Sequence, residues 1–328
     1  MLVLSIGIFF RGFNASRCIM YLSILAFTVL LVLRLDDAIN ISYFLVFTPL
    51  FACNFIVFLG ALIGIISFII RPPQQSEASL RVDFVAMLLT TLQHAVLLAF
   101  EVLLARNIDL HVAGIEKLRP LSPWSIIFGP LLIECCLAIV VSIWAVRHDK
   151  SFEFELFFSV NVVQFVFIAF KLDRHVDWSW AVVFIPLWVV LSLSVVGVLY
   201  ALILALLLTR SRHLLPANRR NHIYGAILQT LLVVPALVTL ILLTGKLDAA
   251  NHPGQSVADL SYLMIFLPLM CSLVCLLLMS ICSRGGNVWW FALRRPFCTF
   301  LLDTCPCLRQ YANVSYKVGV REEEEEEG

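Results

Sequence analysis

The chain has 328 residues, 61% of them hydrophobic and 14% charged, with a formal net charge of +1. Soluble domains carry about 25% charged residues and must cover themselves with polar groups. This composition therefore excludes a water-soluble fold and indicates an integral membrane protein, while the near-neutral balance excludes a basic nucleic-acid-binding surface.

The chain opens on "MLVLSIGIFF". This apolar stretch lacks the basic flank and small-residue cleavage site of a signal peptide. Residues 1–17 are expected to stay as an N-terminal segment. A membrane helix needs about 20 apolar residues, and eight runs qualify: 18–34, 43–70, 84–105, 124–146, 154–170, 179–208, 223–244 and 260–282. The second and sixth are long enough to require tilt. With the N-terminus cytoplasmic, that face collects 16 Lys and Arg against 7 on the other. The positive-inside bias then places both termini in the cytoplasm.

A motif recurs along these runs. Phe-x-Pro-Leu occurs at 47–50, 128–131, 184–187 and 266–269, each time near the start of an even-numbered span. Three copies follow a basic-Leu-Asp turn: Arg34-Leu35-Asp36, Lys171-Leu172-Asp173 and Lys246-Leu247-Asp248. The second hairpin has the degraded form Arg106-Asn107-Ile108-Asp109. Asp36 to Asp173 and Pro49 to Pro186 are both 137 residues apart; Asp109 to Asp248 is 139, and Pro130 to Pro268 is 138. The spacing predicts a two-helix unit doubled twice, with copies parallel because each unit has an even number of spans.

Pro49, Pro130, Pro186 and Pro268 are expected to kink their helices and free the carbonyls of Leu45, Ile126, Val182 and Met264. Asp36, Asp109, Asp173 and Asp248 sit at helix C-termini on the non-cytoplasmic rim. Two readings stand for them: turn residues paired with the neighbouring cations, or a cation-attracting mouth.

Ionisable residues at membrane depth are costly and mark candidate sites. Glu134 lies deep in the fourth run, His94 in the third, and Glu101 is seven residues after His94 on the same helical face. Together they suggest a proton or cation relay, or a neutral Glu hydrogen-bonded to its neighbour. Asn54, Asn161, Gln164 and Gln229 are expected to bind helices together by hydrogen bonds. No GxSxG, HExxH or glycine-rich phosphate loop occurs, so no enzyme activity is expected. No cofactor is implied, and Cys298, Cys305 and Cys307, without a nearby histidine, make a weak zinc pattern, so no metal site is assigned. Acylation is the alternative use of these juxtamembrane cysteines.

After the last run comes "SRGGNVWWFALRRPFCTFLLDTCPC". Gly285 and Gly286 end the helix. Trp289, Trp290 and Phe291 are expected at headgroup level beside Arg294, with Phe297 continuing an interfacial amphipathic segment. The closing "REEEEEEG" is an acidic low-complexity run.

"GGNVWWFALRRPFCTFLL", with Asn287 and Cys298 inside it, resembles the C-terminal signature of the transmembrane fragile-X-F-associated protein family. "VRHDKSFEFE", "LRLD" and "KLDRHVDWSWAVVFIPLW" are similar to its other recurrent stretches, and the likeness extends from about Phe10 to Tyr316. The first ten residues look like an extension beyond the usual start, and the acidic ending stands where a longer, proline-containing tail is usual. The resemblance implies a multipass architecture and supplies no catalytic residues.

The expected fold is all-α and polytopic, with eight transmembrane helices as four parallel hairpins in a 4+4 duplication. Residues 18–146 and 154–282 form the two four-helix repeats, joined by 147–153 and followed by a cytoplasmic tail over 283–320 and the acidic end 321–328. The expected function is a non-enzymatic scaffold acting on cytoplasmic protein partners through this tail. The alternative is a channel or transporter for a cation or small solute along the bundle axis. The lipid bilayer is the one certain partner.

Overall fold

A computed structural model describes residues 15–70, 72–73, 78–114, 123–148, 159–210, 216–249, 259–281 and 289. Among these residues every regular element is helical. In chain order they are α1 (Ala15–Leu35), α2 (Tyr43–Val46), α3 (Thr48–Ile70), α4 (Ala78–Val112), α5 (Trp124–Ile127) and α6 (Gly129–Arg147). Then follow α7 (Val162–Leu172), α8 (Trp180–Val183), α9 (Ile185–Arg210), α10 (Pro216–Ala249) and α11 (Tyr262–Ile281). Seven helices among the described residues are long and apolar enough to cross a membrane, while α7 is apolar but shorter. Residues 151–158, where the fifth run was expected to begin, lie outside the described residues. Helices α4 and α10 exceed their apolar runs, because polar residues at both ends continue the helix beyond the hydrocarbon.

The helices that lead to the four aspartates end in two ways. After α1 and α7 the chain turns through a left-handed residue, Asp37 (φ 55°) or Arg174 (φ 56°). Ala38 N–H then donates to the Leu33 carbonyl and His175 N–H to the Phe170 carbonyl, both at 2.9 Å. These i to i−5 bonds make a Schellman ending, and it fixes Asp36 and Asp173 at the helix boundary. The other two acids, Asp109 and Asp248, lie within the last turns of α4 and α10.

Three of the long helices are preceded by a one-turn stub. Helices α2, α5 and α8 each stop at a phenylalanine, Phe47, Phe128 or Phe184, and the long helix resumes at the next residue. The phenylalanine has φ near −80° and ψ near 0°, flatter than a helix. Proline is then the second residue of the resumed helix, where a missing N–H costs nothing. The sequence places a kink at each of four prolines; the structure interrupts three helices and leaves α11 continuous through Pro268.

The described residues group into two compact units, one drawn from 15–16 and 54–94 with 280–281 and 289, the other from 17–53 and 95–279. In the larger unit, Val46, Phe47 and Ala105 form one apolar cluster with Phe27 and Phe51. Phe128, Leu131, Cys135, Ala138 and Ala169 form another with Phe100 and Phe165. In the smaller unit, Ala61, Met87 and Trp289 pack with Phe68, Leu80 and Phe84.

Candidate functional site

The four rim aspartates perform the same act. Asp109 accepts the backbone N–H of Tyr43 (2.6 Å) and Phe44 (3.0 Å). Asp173 accepts those of Trp124 (2.7 Å) and Ser125 (2.9 Å), and the Ser125 hydroxyl as well. Asp248 accepts Trp180 (2.7 Å) and Ala181 (3.1 Å). Asp36 accepts Tyr262 (2.7 Å) and Leu263 (2.9 Å).

A helix begins with N–H groups that have no partner within the helix. Each aspartate fills the first two such groups of α2, α5, α8 or α11. The third is met by the N-cap serine: Ser42 accepts from Leu45, Ser179 from Val182 and Ser261 from Met264. In the second hairpin Pro123 occupies the N-cap and brings no side-chain bond. There the Ile126 N–H donates to the Pro123 carbonyl at 3.0 Å, and the Ser125 hydroxyl adds a third bond to Asp173. Negative charge at a helix N-terminus also meets the positive end of the macrodipole.

The order of these bonds is cyclic. Asp109 of α4 caps α2, Asp173 at the end of α7 caps α5, and Asp248 of α10 caps α8. Asp36 at the end of α1 caps α11, 226 residues away. The sequence left these aspartates either as turn residues paired with the neighbouring cations or as a cation-attracting mouth; helix capping was neither reading. Two of the neighbouring cations rest on aromatic rings: Arg34 lies 5.4 Å from the Tyr43 ring centre and Lys246 4.5 Å from that of Tyr262. Both are cation–π contacts.

Burial raises the Asp173 carboxyl, but the Ser125 hydroxyl, the N–H groups of Ser125 and Trp124, and the field of His175 together hold it below its ordinary value. Three donors aimed at the ionised form favour it over the protonated acid.

One turn deeper the register repeats. The residue before each phenylalanine, Val46, Ile127, Val183 or Ile265, is buried, as are Val32, Ala105, Ala169 and Thr244, each four before its aspartate. Nine residues before the aspartates stand Phe27, Phe100, Gln164 and Thr239. Phe27 meets Phe47 edge to face at 4.8 Å, and Phe100 meets Phe128 at 5.4 Å. Gln164 bridges the third interruption directly, donating to the Val183 carbonyl and accepting from Leu187 N–H, both at 3.1 Å. The amide thus supplies partners on both sides of the break. At the fourth position Thr239 is smaller than a ring or an amide, and the helix there is unbroken.

Among the deep candidates, Glu134 is fully buried in α6 and Glu101 is 6% exposed in α4. Cys53 lies beside the Ser23 hydroxyl and in the field of Glu101. His94 belongs to the smaller unit, where its Nδ1 lies 2.9 Å from the Thr90 carbonyl. Among the described residues no three His, Cys, Asp or Glu side chains converge as metal ligands.

Of the tail motif, Trp289 is described, while Gly285, Gly286, Asn287, Trp290, Phe291, Arg294, Phe297 and Cys298 lie outside the described residues, as do Cys305 and Cys307. Trp289 was expected among headgroups. It is 1% exposed, inside the protein, with Nε1–H donating to the Leu80 carbonyl at 2.7 Å. A buried indole needs one acceptor and otherwise favours apolar surroundings, and the spans provide both.

The N-cap serines and Gly64 were not singled out by the sequence. A serine directly before an aromatic residue at the start of three even spans was the available signal. The family model described as Transmembrane Fragile-X-F protein matches residues 33–272, the stretch that contains every rim aspartate, every interruption and the deep acids. No solved structure matches the chain.

Proposed function

The chain belongs to the transmembrane Fragile-X-F protein family and is a multipass membrane protein, and we propose that it is a non-enzymatic scaffold that offers its cytoplasmic tail to protein partners. In this reading eight crossings form four parallel hairpins from a 4+4 duplication, with 18–146 and 154–282 as the repeats. The fifth crossing is α7 together with the residues before it. Both termini face the cytoplasm, and the low-complexity acidic end extends the tail.

One observation carries the reading. All four rim carboxylates are occupied by two backbone N–H groups each. Charges used in this way tie neighbouring hairpins together; a passing cation would have to compete with charge-assisted bonds, which are among the strongest available to a carboxylate.

Glu134, sealed at membrane depth, favours the second reading, a cation or small-solute pathway with Glu101 as a further member. Reconstitution into liposomes separates the two. The scaffold predicts no cation flux above that of empty liposomes, and loss of cytoplasmic partner capture when residues 283–320 are removed. A flux abolished by Glu134→Gln would overturn it.

A further inference from the structure

Trp289 comes eight residues after α11, yet it is seated between α3 and α4. Its ring meets Phe68 at 5.6 Å and Phe84 at 5.4 Å, both edge to face, and those two rings stack on each other at 3.9 Å. The indole N–H is bonded to the Leu80 carbonyl near the start of α4. Gly64 makes the approach possible: a Cβ at that position would lie 2.5 Å from the Trp289 carbonyl oxygen and 2.8 Å from the Met87 sulfur. The first clash is with backbone, so it cannot be relieved by a rotamer change. The seat therefore accepts this chain segment only while residue 64 has no side chain.

We propose that Trp289 is a latch: the slot between α3 and α4 is the docking site of the chain's own tail, and seating of the indole withholds the tail from partners. The contact has the form of such a device. One aromatic anchor, one directed hydrogen bond and one glycine-gated approach hold Trp289 in the slot, as an anchor residue is held in a protein interface. The slot is at the end of α4 that begins at Ala78, while Asp109 lies in the last turn at the other end. Release would thus leave the aspartate caps in place. The consequence for partners rests on the scaffold reading; the latch itself does not.

The test uses the full chain in detergent and compares the wild type with Gly64→Leu, Trp289→Ala and Trp289→Phe. Gly64→Leu changes the slot. Trp289→Ala changes only the tail, and so guards against a misfolded helix pair. Trypsin cleavage within 283–320 is followed alongside the unfolding midpoint. Cleavage is expected to be roughly tenfold faster in Gly64→Leu and Trp289→Ala, a factor that corresponds to about 1.4 kcal/mol. Trp289→Phe, which keeps a ring but loses the donor, is expected to fall between. Equal cleavage in all four proteins would overturn the latch. Faster cleavage with unchanged partner capture would uphold the latch and count against the scaffold reading.

Discussion

The carboxylate of Asp36 accepts the backbone N–H of Tyr262 at 2.7 Å, joining the end of the first span to the start of the last. The bond closes a cycle in which every hairpin caps another. Replacing Asp36 by alanine leaves two N–H groups of α11 without their acceptor. Hydrogen bonds to a charged group contribute about 1.5–3 kcal/mol each way of counting, so a clear fall in the unfolding midpoint in detergent is expected. Asp37→Asn serves as the comparison, because Asp37 is 92% exposed, its contact with Arg34 is a surface pair worth roughly 0–1 kcal/mol, and asparagine tolerates the left-handed backbone at this position. A midpoint equally lowered by both changes would argue against the cap.

Asp173 provides a pH signature. Its folded carboxyl is held below the ordinary value, near 3.9 in an unfolded chain. The folded state therefore binds the proton less readily than the unfolded one. Its contribution is complete above about pH 4 and is lost as pH falls through the lowered folded value. Unfolding midpoints of the wild type and Asp173→Asn, measured from pH 7 to pH 3, are expected to differ most at neutral pH and to converge below about pH 4. A gap that widens on acidification would contradict this sign.

How far the sequence reached is clearest at the aspartates and prolines. Their spacing pointed to the four aspartates and to the helix starts near the prolines, because hydrophobic runs and turn residues are local signals. It did not disclose that Asp36 serves α11 and not its own turn, since an acceptor 226 residues from its donor leaves no local pattern. The interruptions at Phe47, Phe128 and Phe184 were placed one turn too simply as proline kinks. Whether a helix resets depends on what fills the break, and Gln164 or Phe27 across the hairpin decides it. Trp289 was misplaced for a related reason. An amphipathic indole suits headgroups and a protein slot equally, and only Gly64, 225 positions earlier, opens the slot.

Gln164 allows a substitution to be argued from its own counterparts. Gln164→Ala removes both partners of the third interruption, orphaning the Val183 carbonyl and Leu187 N–H at about 1–3 kcal/mol each. Gln164→Phe reproduces the first two hairpins. There Leu50 N–H turns to the Phe47 carbonyl at 3.0 Å, and the ring packs on the phenylalanine of the break. Gln164→Phe is expected to retain more stability than Gln164→Ala, read as unfolding midpoints in one detergent. The reverse order would show that the amide is irreplaceable and that the registers are not interchangeable.

The cyclic order of caps makes a further prediction about the two halves of the chain. Cut between residues 150 and 151, the protein keeps Asp109–Tyr43 within the first half and Asp248–Trp180 within the second. The other two caps cross the cut: Asp173 reaches Trp124, and Asp36 reaches Tyr262. Co-expressed halves 1–150 and 151–328 are expected to co-purify, because the apolar contacts of Ala169 with Phe128 and Leu131 also cross the cut. Asp36→Asn with Asp173→Asn should weaken that pairing severalfold. Asp109→Asn with Asp248→Asn removes as many charges from the same rim but none from the seam between halves, and should leave co-purification near the wild-type level while lowering the stability of each half. Equal losses from the two double variants would mean that rim charge as such, and not the direction of each cap, holds the hairpins together.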